Sequence, residues 1–311
     1  MGEFRRFLCP AKLNFVLAVH GRREDALHNI SSLIVQVEFG DHVQLRFAED
    51  GACEDFLSCD VPGIPTDGRN SIFRALALYR QVYDFPQRVV IRLEKNIPLE
   101  SGLGGGSSDA ALFLRHLNEM LGRPVRDAEL MAIAGYVGSD CPSFLSSSPC
   151  VVRETGSRVE PVEVAQLQGL RRMKLIIFKP VVGIPTAWAY EQLDRKGPAA
   201  FSEATAANFA IENVLRELET KARPASLANA FQTLVSERFL ELQLIFRDLD
   251  IFFRVQGYLT GTGSAGYIPL HEDEDGSSIR QYLTDVLGDA ALIVETRPLV
   301  LDRRDRLAFS E

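Results

Sequence analysis

The chain has 311 residues, 46% of them hydrophobic and 24% charged, a balance that suits a globular fold with a large core and enough length for two domains. A formal net charge of −8 excludes the broad basic field that nucleic acid or an anionic membrane would need, so any anionic ligand must be held by local donors. Five scattered cysteines without a CxxC pair (Cys9, Cys53, Cys59, Cys141, Cys150) exclude a disulfide framework or zinc site and fit reduced thiols in the cytoplasm. The first residues, MGEFRRFLC, carry no apolar signal core, and no apolar run is long enough to span a bilayer, so a cytoplasmic location is expected.

In chain order, KLNFVLAV (12–19) and SLIVQVEFGDHVQLRFA (32–48) are rich in β-branched and aromatic residues and read as strands. NSIFRALALYRQVY (70–83) reads as a helix with Asn70 near its start. RVVIRLEKNIP (88–98) reads as a strand closed by Pro98, and a glycine loop follows. SSDAALFLRHLNEML (107–121) places Ala110, Leu114, Leu117 and Leu121 on one helical face. DAELMAIAGYVGSDCP (127–142) is a helix ending in a turn at Gly138, and MKLIIFKP (173–180) is a strand. LANAFQTLVSERFLELQLIF (227–246) reads as the longest amphipathic helix. GYLTGTGSAGYIPL (257–270) reads as strand, glycine turn and strand. The chain closes with a helix over 276–288 and a strand over 291–299. HEDEDG (271–276) is a solvated acidic loop rather than a metal site, since no partner ligands stand near it. The first half runs strands then helices, and the second interleaves them. The boundary is expected near 159–170, where periodicity fades, giving domains 1–160 and 161–311.

IPLESGLGGGSSDAAL (97–112) asks for a specific explanation. Four of the five residues from Gly102 to Gly106 are glycine, and they lead into a helix N-terminus. Bare backbone lets several N–H groups converge on phosphate oxygens, and the helix end adds unpaired donors and partial positive charge. Ser107 and Ser108 contribute hydroxyls, and Asp109 suits the positive helix end. The plainer alternative is a turn with Ser107 as N-cap, but four crowded glycines exceed what a turn requires. A Walker A loop is excluded, because no lysine occurs between residues 96 and 173. A Rossmann fingerprint fails because its third glycine would fall on Ser107.

GLGGGSSDAA resembles the ATP-phosphate loop of the GHMP kinases. Four more segments resemble that family in order: PAKLNFVLAVHGRREDALH (10–28), GSDCPSF (138–144), VGIPTAWAY (182–190) and LTGTGSAGY (259–267). The resemblance implies an α+β GHMP kinase fold, with a ribosomal-S5-like N-terminal domain containing a left-handed βαβ unit and a ferredoxin-like C-terminal domain. It implies ATP and Mg²⁺ as cofactors. It further implies phosphorylation of the 2-hydroxyl of 4-diphosphocytidyl-2-C-methyl-D-erythritol, a step of the methylerythritol phosphate route to isoprenoids. The partner is then a small molecule carrying a cytidine diphosphate group, with no nucleic acid and no membrane, and the chain is a monomer or homodimer.

Residue by residue, the resemblance makes Asp140 the base and Lys12 its catalytic partner. The ATP site is formed by Pro98, Leu99, Glu100, Ser101, Gly102 and Leu103, continuing through Gly104, Gly105, Gly106, Ser107 and Ser108, with Lys95 and Asn70 at the nucleotide pocket. Substrate contacts fall to Asn14, which shares a strand face with Lys12, and to His28, Thr186 and Tyr190. Gly261, Thr262 and Gly263 form a second backbone cradle. Ser108 is also a candidate Mg²⁺ ligand. Residue chemistry alone leaves plainer roles open: a turn carboxylate for Asp140, an edge-strand lysine for Lys12, a helix cap for Asn70, a bare hairpin at 261–263.

One departure stands out. The family reads Asp-Gly-Tyr-His where this chain has Asp25, Ala26, Leu27 and His28. Leu27 offers apolar contact but no ring, and base–aromatic stacking is worth roughly 1–3 kcal/mol. Tyr190 matches a family aromatic on the other side of the base, whereas Trp188 falls on another helix face. The departure favours one alternative, a GHMP kinase for another small alcohol, of mevalonate or homoserine type; a second alternative, independent of Leu27, is a silent nucleotide-binding sensor of the same fold. Retention of Lys12 and Asp140 counts against the sensor.

Overall fold

The computed structural model describes residues 3–49, 51–146, 148–163 and 167–300. β1 (Arg5–Arg22) and β2 (His28–Phe47) make a long antiparallel hairpin. β3 (Phe56–Cys59) and β4 (Val89–Glu94) run parallel to each other, with α1 (Ser71–Val82) crossing between them, and β4 pairs antiparallel with β2. After the glycine loop come α2 (Gly105–Met120), α3 (Asp127–Val137) and the short α4 (Cys141–Leu145). β5 (Cys150–Glu154) returns to β2, and β6 (Arg158–Pro161) pairs on it. The second half runs α5 (Gln168–Arg171), β7 (Met173–Lys179), α6 (Thr186–Lys196), α7 (Ala204–Leu218), β8 (Ala228–Asn229), α8 (Gln232–Arg238) and α9 (Leu240–Phe253). It ends with β9 (Tyr258–Leu259), β10 (Gly266–His271), α10 (Ser277–Leu287) and β11 (Leu292–Thr296).

The second sheet has the antiparallel order β11-β7-β10-β9. Numbered within this sheet, that is 4-1-3-2, the strand order of the expected ferredoxin-like fold. Alternation along β7 explains its unbroken apolar run, because both faces are covered. Leu175 and Ile177 face a core shared with Leu13, Phe15 and Val35 of the first sheet. Ile176 and Phe178 face the opposite core, beneath Ala189, Val235, Leu249 and Leu283 of the second-half helices. A third core packs the inward residues of α1, Ile72, Ala75, Leu76 and Tyr79, against α2, α3 and the first sheet. Asn70 caps α1 by accepting a hydrogen bond from the Ile72 amide at 2.9 Å.

Three sequence expectations change. The helix read over 227–246 is broken in two places. Ala228 and Asn229 pair in parallel with Val16 and Leu17 of β1, and Phe239 takes a non-helical ψ of 89° between α8 and α9. The Asn229 side chain holds this start outside a helix: Nδ2 donates to the carbonyls of Leu259 and Gly261, and Oδ1 accepts from the Phe231 amide. Tertiary pairing thus overrides an amphipathic period. The longest helix is instead α2, with 16 residues. It starts at Gly105 rather than Ser107, because Gly104 can take the left-handed φ of 78° that turns the loop into the helix. Finally, α7 adds a helix that the sequence expectations lack, although Ala207, Ile211, Val214 and Leu218 carry a helical period. Residues 164–166, inside the expected boundary stretch, lie outside the described residues.

Candidate active site

Lys12 and Asn14 sit on β1 between two register shifts against β2, at Pro10/Lys12 and Asn14/Val16, which re-aim this segment locally. The Lys12 stem packs on Gly104, where a methyl group would stand 3.1 Å from Lys12 Cγ and 3.0 Å from Phe144 Cζ. From the other side, Gly138 ends α3 and Asp140 occupies the N-cap position of α4. The Asp140 carboxylate makes no cap hydrogen bond, so its oxygens remain available. Its Oδ2 lies 3.4 Å from Lys12 Nζ, with the lysine side chain almost fully buried and the carboxylate 36% exposed. A buried ammonium facing a half-open carboxylate is an arrangement able to orient a base at an incoming hydroxyl.

Both groups line a cavity of about 1440 Å³. Pockets for one drug-sized ligand typically measure roughly 300–1,000 Å³, so there is room here for a nucleotide and a second substrate. One wall is the glycine loop. Pro98, Leu99, Glu100, Ser101, Gly102, Gly104, Gly105, Gly106 and Ser107 all line it, with the open end of α2 behind them. Gly102 (φ 79°) touches the carbonyl of Thr260 so closely that no side chain fits between, and Ala265 N–H donates to Ser101 O at 3.0 Å. The two glycine-rich loops are thus clasped backbone to backbone, and Gly261 and Thr262 line the same cavity.

Beneath the loop lies a buried charge cluster. Lys95 Nζ is 2.5 Å from Asp41 Oδ2 and 2.9 Å from Asp109 Oδ2. The other Asp41 oxygen accepts the amides of Asn96 and Ile97 at 2.6 and 2.7 Å, fixing the strand's exit into the loop. Burial pulls the Lys95 ammonium down, but the Asp109 and Asp41 carboxylates outweigh it and hold its pKa above the ordinary value. Burial pushes Asp109 up, assisted by Asp41 and opposed by Lys95. Asp109 therefore does not serve the helix end as an exposed anion.

The opposite lobe holds His28, whose Nε2 is 2.7 Å from Asp194 Oδ1 and whose ring lies 4.7 Å from that of Tyr190. Burial, then the Asp140 charge, raises the Tyr190 phenol well above its usual range. Thr186 Oγ1 stands 3.3 Å from Thr262 Oγ1, joining α6 to the second glycine loop. Leu27 lines this lobe and is 54% exposed, while Ala26 holds φ 64° where the family pattern has glycine. Trp188 turns away to Phe239, as its helix position implied.

Four of the residues read from sequence do not line the cavity. Leu103 and Ser108 are buried behind the loop, so Ser107 rather than Ser108 lines the cavity. Asn70 is spent on the α1 cap and on the carbonyl of Pro65, and Gly263 packs against Leu259 and Ile184. Four supporting residues escaped the reading. They are Asp41, Asp194, Asn229 and Arg74, whose guanidinium lines the cavity and donates to Val137 O just before the Asp140 turn. Arg74 carried one signal, a cation in the first turn of a helix, where the dipole disfavours it.

The fold and this site define a GHMP kinase. Residues 70–148 match the family of GHMP kinases N terminal domains. A solved 4-(cytidine 5'-diphospho)-2C-methyl-D-erythritol kinase superposes with a TM-score of 0.73 at 25% identity, covering 94% of this chain and 99% of that one. The homoserine kinase of Cytophaga hutchinsonii superposes equally well, at 0.73, but at 16% identity over 96% of each chain, which speaks for the fold alone. A 4-diphosphocytidyl-2-C-methyl-D-erythritol kinase of Fusobacterium nucleatum is 30% identical over 91% of this chain and 94% of its own length. That of Symbiobacterium thermophilum is 31% identical over 92% and 97%. The chain belongs to the family of 4-diphosphocytidyl-2-C-methyl-D-erythritol kinases. With the relative from Syntrophotalea carbinolica the match, at 35% identity, spans 60% of this chain and 64% of that one.

Proposed function

We propose that this chain transfers the γ-phosphoryl group of ATP to the 2-hydroxyl of 4-diphosphocytidyl-2-C-methyl-D-erythritol. The observation that carries the reading is the Lys12–Asp140 pair, 3.4 Å apart, in one cavity with the glycine-loop end of α2. Glycine-loop amides and the helix end hold the ATP phosphates. Asp140 accepts the proton of the substrate hydroxyl while that oxygen bonds to the γ-phosphorus and the bond to the β–γ bridging oxygen breaks. ADP departs, with its charge held by the loop. Lys12 keeps Asp140 oriented and offsets charge on the attacking oxygen, and positioning of this kind supplies most of what phosphoryl transfer asks of a protein.

The donor set suits Mg²⁺ held largely by ATP. Ser107 and Asp140 offer oxygens to the cavity, and no cluster of three His, Cys, Asp or Glu ligands stands among the described residues. When bound, the ion neutralises phosphate charge. His28, Thr186, Tyr190, Gly261 and Thr262 receive the cytidyl substrate. Residues 1–160 form the ATP-binding half and 161–311 the substrate-side half, of a cytoplasmic enzyme. No described helix is long and apolar enough to cross a membrane.

A coupled ADP-release assay with ATP, Mg²⁺ and the cytidyl substrate tests this, beside Asp140→Asn and beside mevalonate and homoserine. Expected is turnover of the cytidyl compound, reduced by about 10²–10⁴-fold in the variant. Turnover of another alcohol alone sinks the substrate assignment. The exposed Leu27 is the observation that favours such a second reading. Leu27→Tyr is expected to lower KM for the cytidyl substrate about 5–150-fold, the equivalent of one base stack.

A further inference from the structure

Asn14 lines the cavity, yet its carboxamide is already engaged. Oδ1 lies 2.7 Å from Lys12 Nζ and 2.8 Å from the Gly261 amide nitrogen. Both partners are pure donors, so the oxygen end of the amide must face them. Nδ2 donates to Ser32 Oγ at 2.8 Å, and that hydroxyl donates onward to Val16 O at 2.7 Å. The main chain of Asn14 is tied as well: its amide donates to Thr260 Oγ1 at 3.2 Å and its carbonyl accepts from the Tyr267 hydroxyl at 3.0 Å. The residue is buried, so these bonds face little competition from water.

This arrangement answers a question the site raises. The Lys12 ammonium is out of water, and its contact with Asp140 is 3.4 Å long. A lysine is a flexible stem with a point charge at its end. The short bond to Asn14 Oδ1 decides where that charge rests. The same oxygen anchors the first amide of the loop expected to meet the substrate.

We propose that Asn14 is a positioning residue of the phosphoryl transfer, whose Oδ1 sets the Lys12 ammonium toward Asp140 and registers the Gly261 loop on the same atom. The proposal rests on the kinase reading above. It differs from a direct substrate contact because Asn14 acts through Lys12.

The test is a double-mutant cycle on kcat with Asn14→Ala, Lys12→Met and the double variant, alongside crystal structures of wild type and Asn14→Ala. The expected loss for Asn14→Ala is about 10²-fold, the scale of a roughly 1 Å misplacement. In the Lys12→Met background the same change should cost at least about 5-fold less than in wild type, the remainder being the lost anchor of the Gly261 amide, because coupled residues are non-additive. Asn14→Asp keeps an acceptor for both donors and is expected to retain more activity than Asn14→Ala. In the Asn14→Ala crystal, Lys12 Nζ should leave its place beside Asp140. Equal losses with and without Lys12, or Lys12 unmoved in the crystal, overturn the proposal. A wild type inactive on every alcohol strikes the kinase reading instead, and the crystal comparison still decides the role of Asn14.

Discussion

Two lysines line the same cavity, both almost fully buried, and their surroundings differ in kind. Lys95 sits between two buried carboxylates, Asp41 and Asp109, at 2.5 and 2.9 Å. Lys12 has one neutral amide oxygen at 2.7 Å and one half-open carboxylate at 3.4 Å. A buried charge must be compensated, but full compensation leaves nothing for chemistry. Lys95 is compensated and holds the loop's foundation. Lys12 is compensated partly by a dipole, so its charge still acts on whatever enters the cavity. The pair teaches that two equally buried lysines can differ in how fully their charge is compensated, because the nature of the partners decides it.

The largest expected effect separates the two by stability. Lys95→Met leaves Asp41 and Asp109 buried without their cation and is expected to cost about 3–5 kcal/mol in urea unfolding. Lys12→Met should cost within about 1 kcal/mol, since Asp140 is partly solvated. Equal losses would erase the distinction. Activity should reverse the order. In steady-state assays Lys12→Met is expected to lower kcat about 10²–10³-fold, as for loss of one preorganised donor. The folded fraction of Lys95→Met should keep a far larger share, with its effect mainly on KM for ATP.

A smaller change probes the contact between Lys12 and the loop. Gly104→Ala forces a left-handed φ on a residue with a side chain, at roughly 1–2 kcal/mol, and pushes on the Lys12 stem. Thermal melts should show that loss, and kcat should fall along with it. The smallest effect at neutral pH concerns Asp109, pushed up to about 7 from an ordinary 3.8 by burial, with Asp41 adding to the rise against Lys95. The folded state then holds a proton that the unfolded chain releases. The stability this proton contributes is complete below about pH 4 and is lost as pH rises through about 7. Asp109→Asn removes that dependence, so denaturation at pH 5 and pH 8 should show wild type losing more stability over the interval than the variant. Parallel losses would mean that Asp109 titrates normally and that the Lys95 cluster is simpler than described.

The asymmetry between the lysines was only half legible. Lys12 stood out as a charge in an apolar strand within a recognisable motif. Lys95 gave no sign of two carboxylate partners, because Asp41 lies 54 residues away on β2 and Asp109 reads as an ordinary first-turn acid. Asp194 was hidden for the same reason, since it meets His28 across 166 residues. By contrast α7 was open to reading, because its apolar period is regular.

What the sequence determined by itself is what backbone chemistry and local period encode. The glycine loop needs no distant partner to be an anion cradle, since glycine permits φ 78° at Gly104 and a helix end supplies donors wherever it stands. Alternation and helical period likewise placed most strands and helices. The tertiary structure alone decided the rest. It chose strand pairing over helix at Ala228–Asn229, set Asp140 3.4 Å from Lys12, clasped the two glycine loops together and fixed the Asn14 carboxamide. Each of these depends on the direction of a side chain or carbonyl relative to a segment far along the chain. No local propensity carries that information, because it arises only when burial removes water and each polar group must find its partner within the fold.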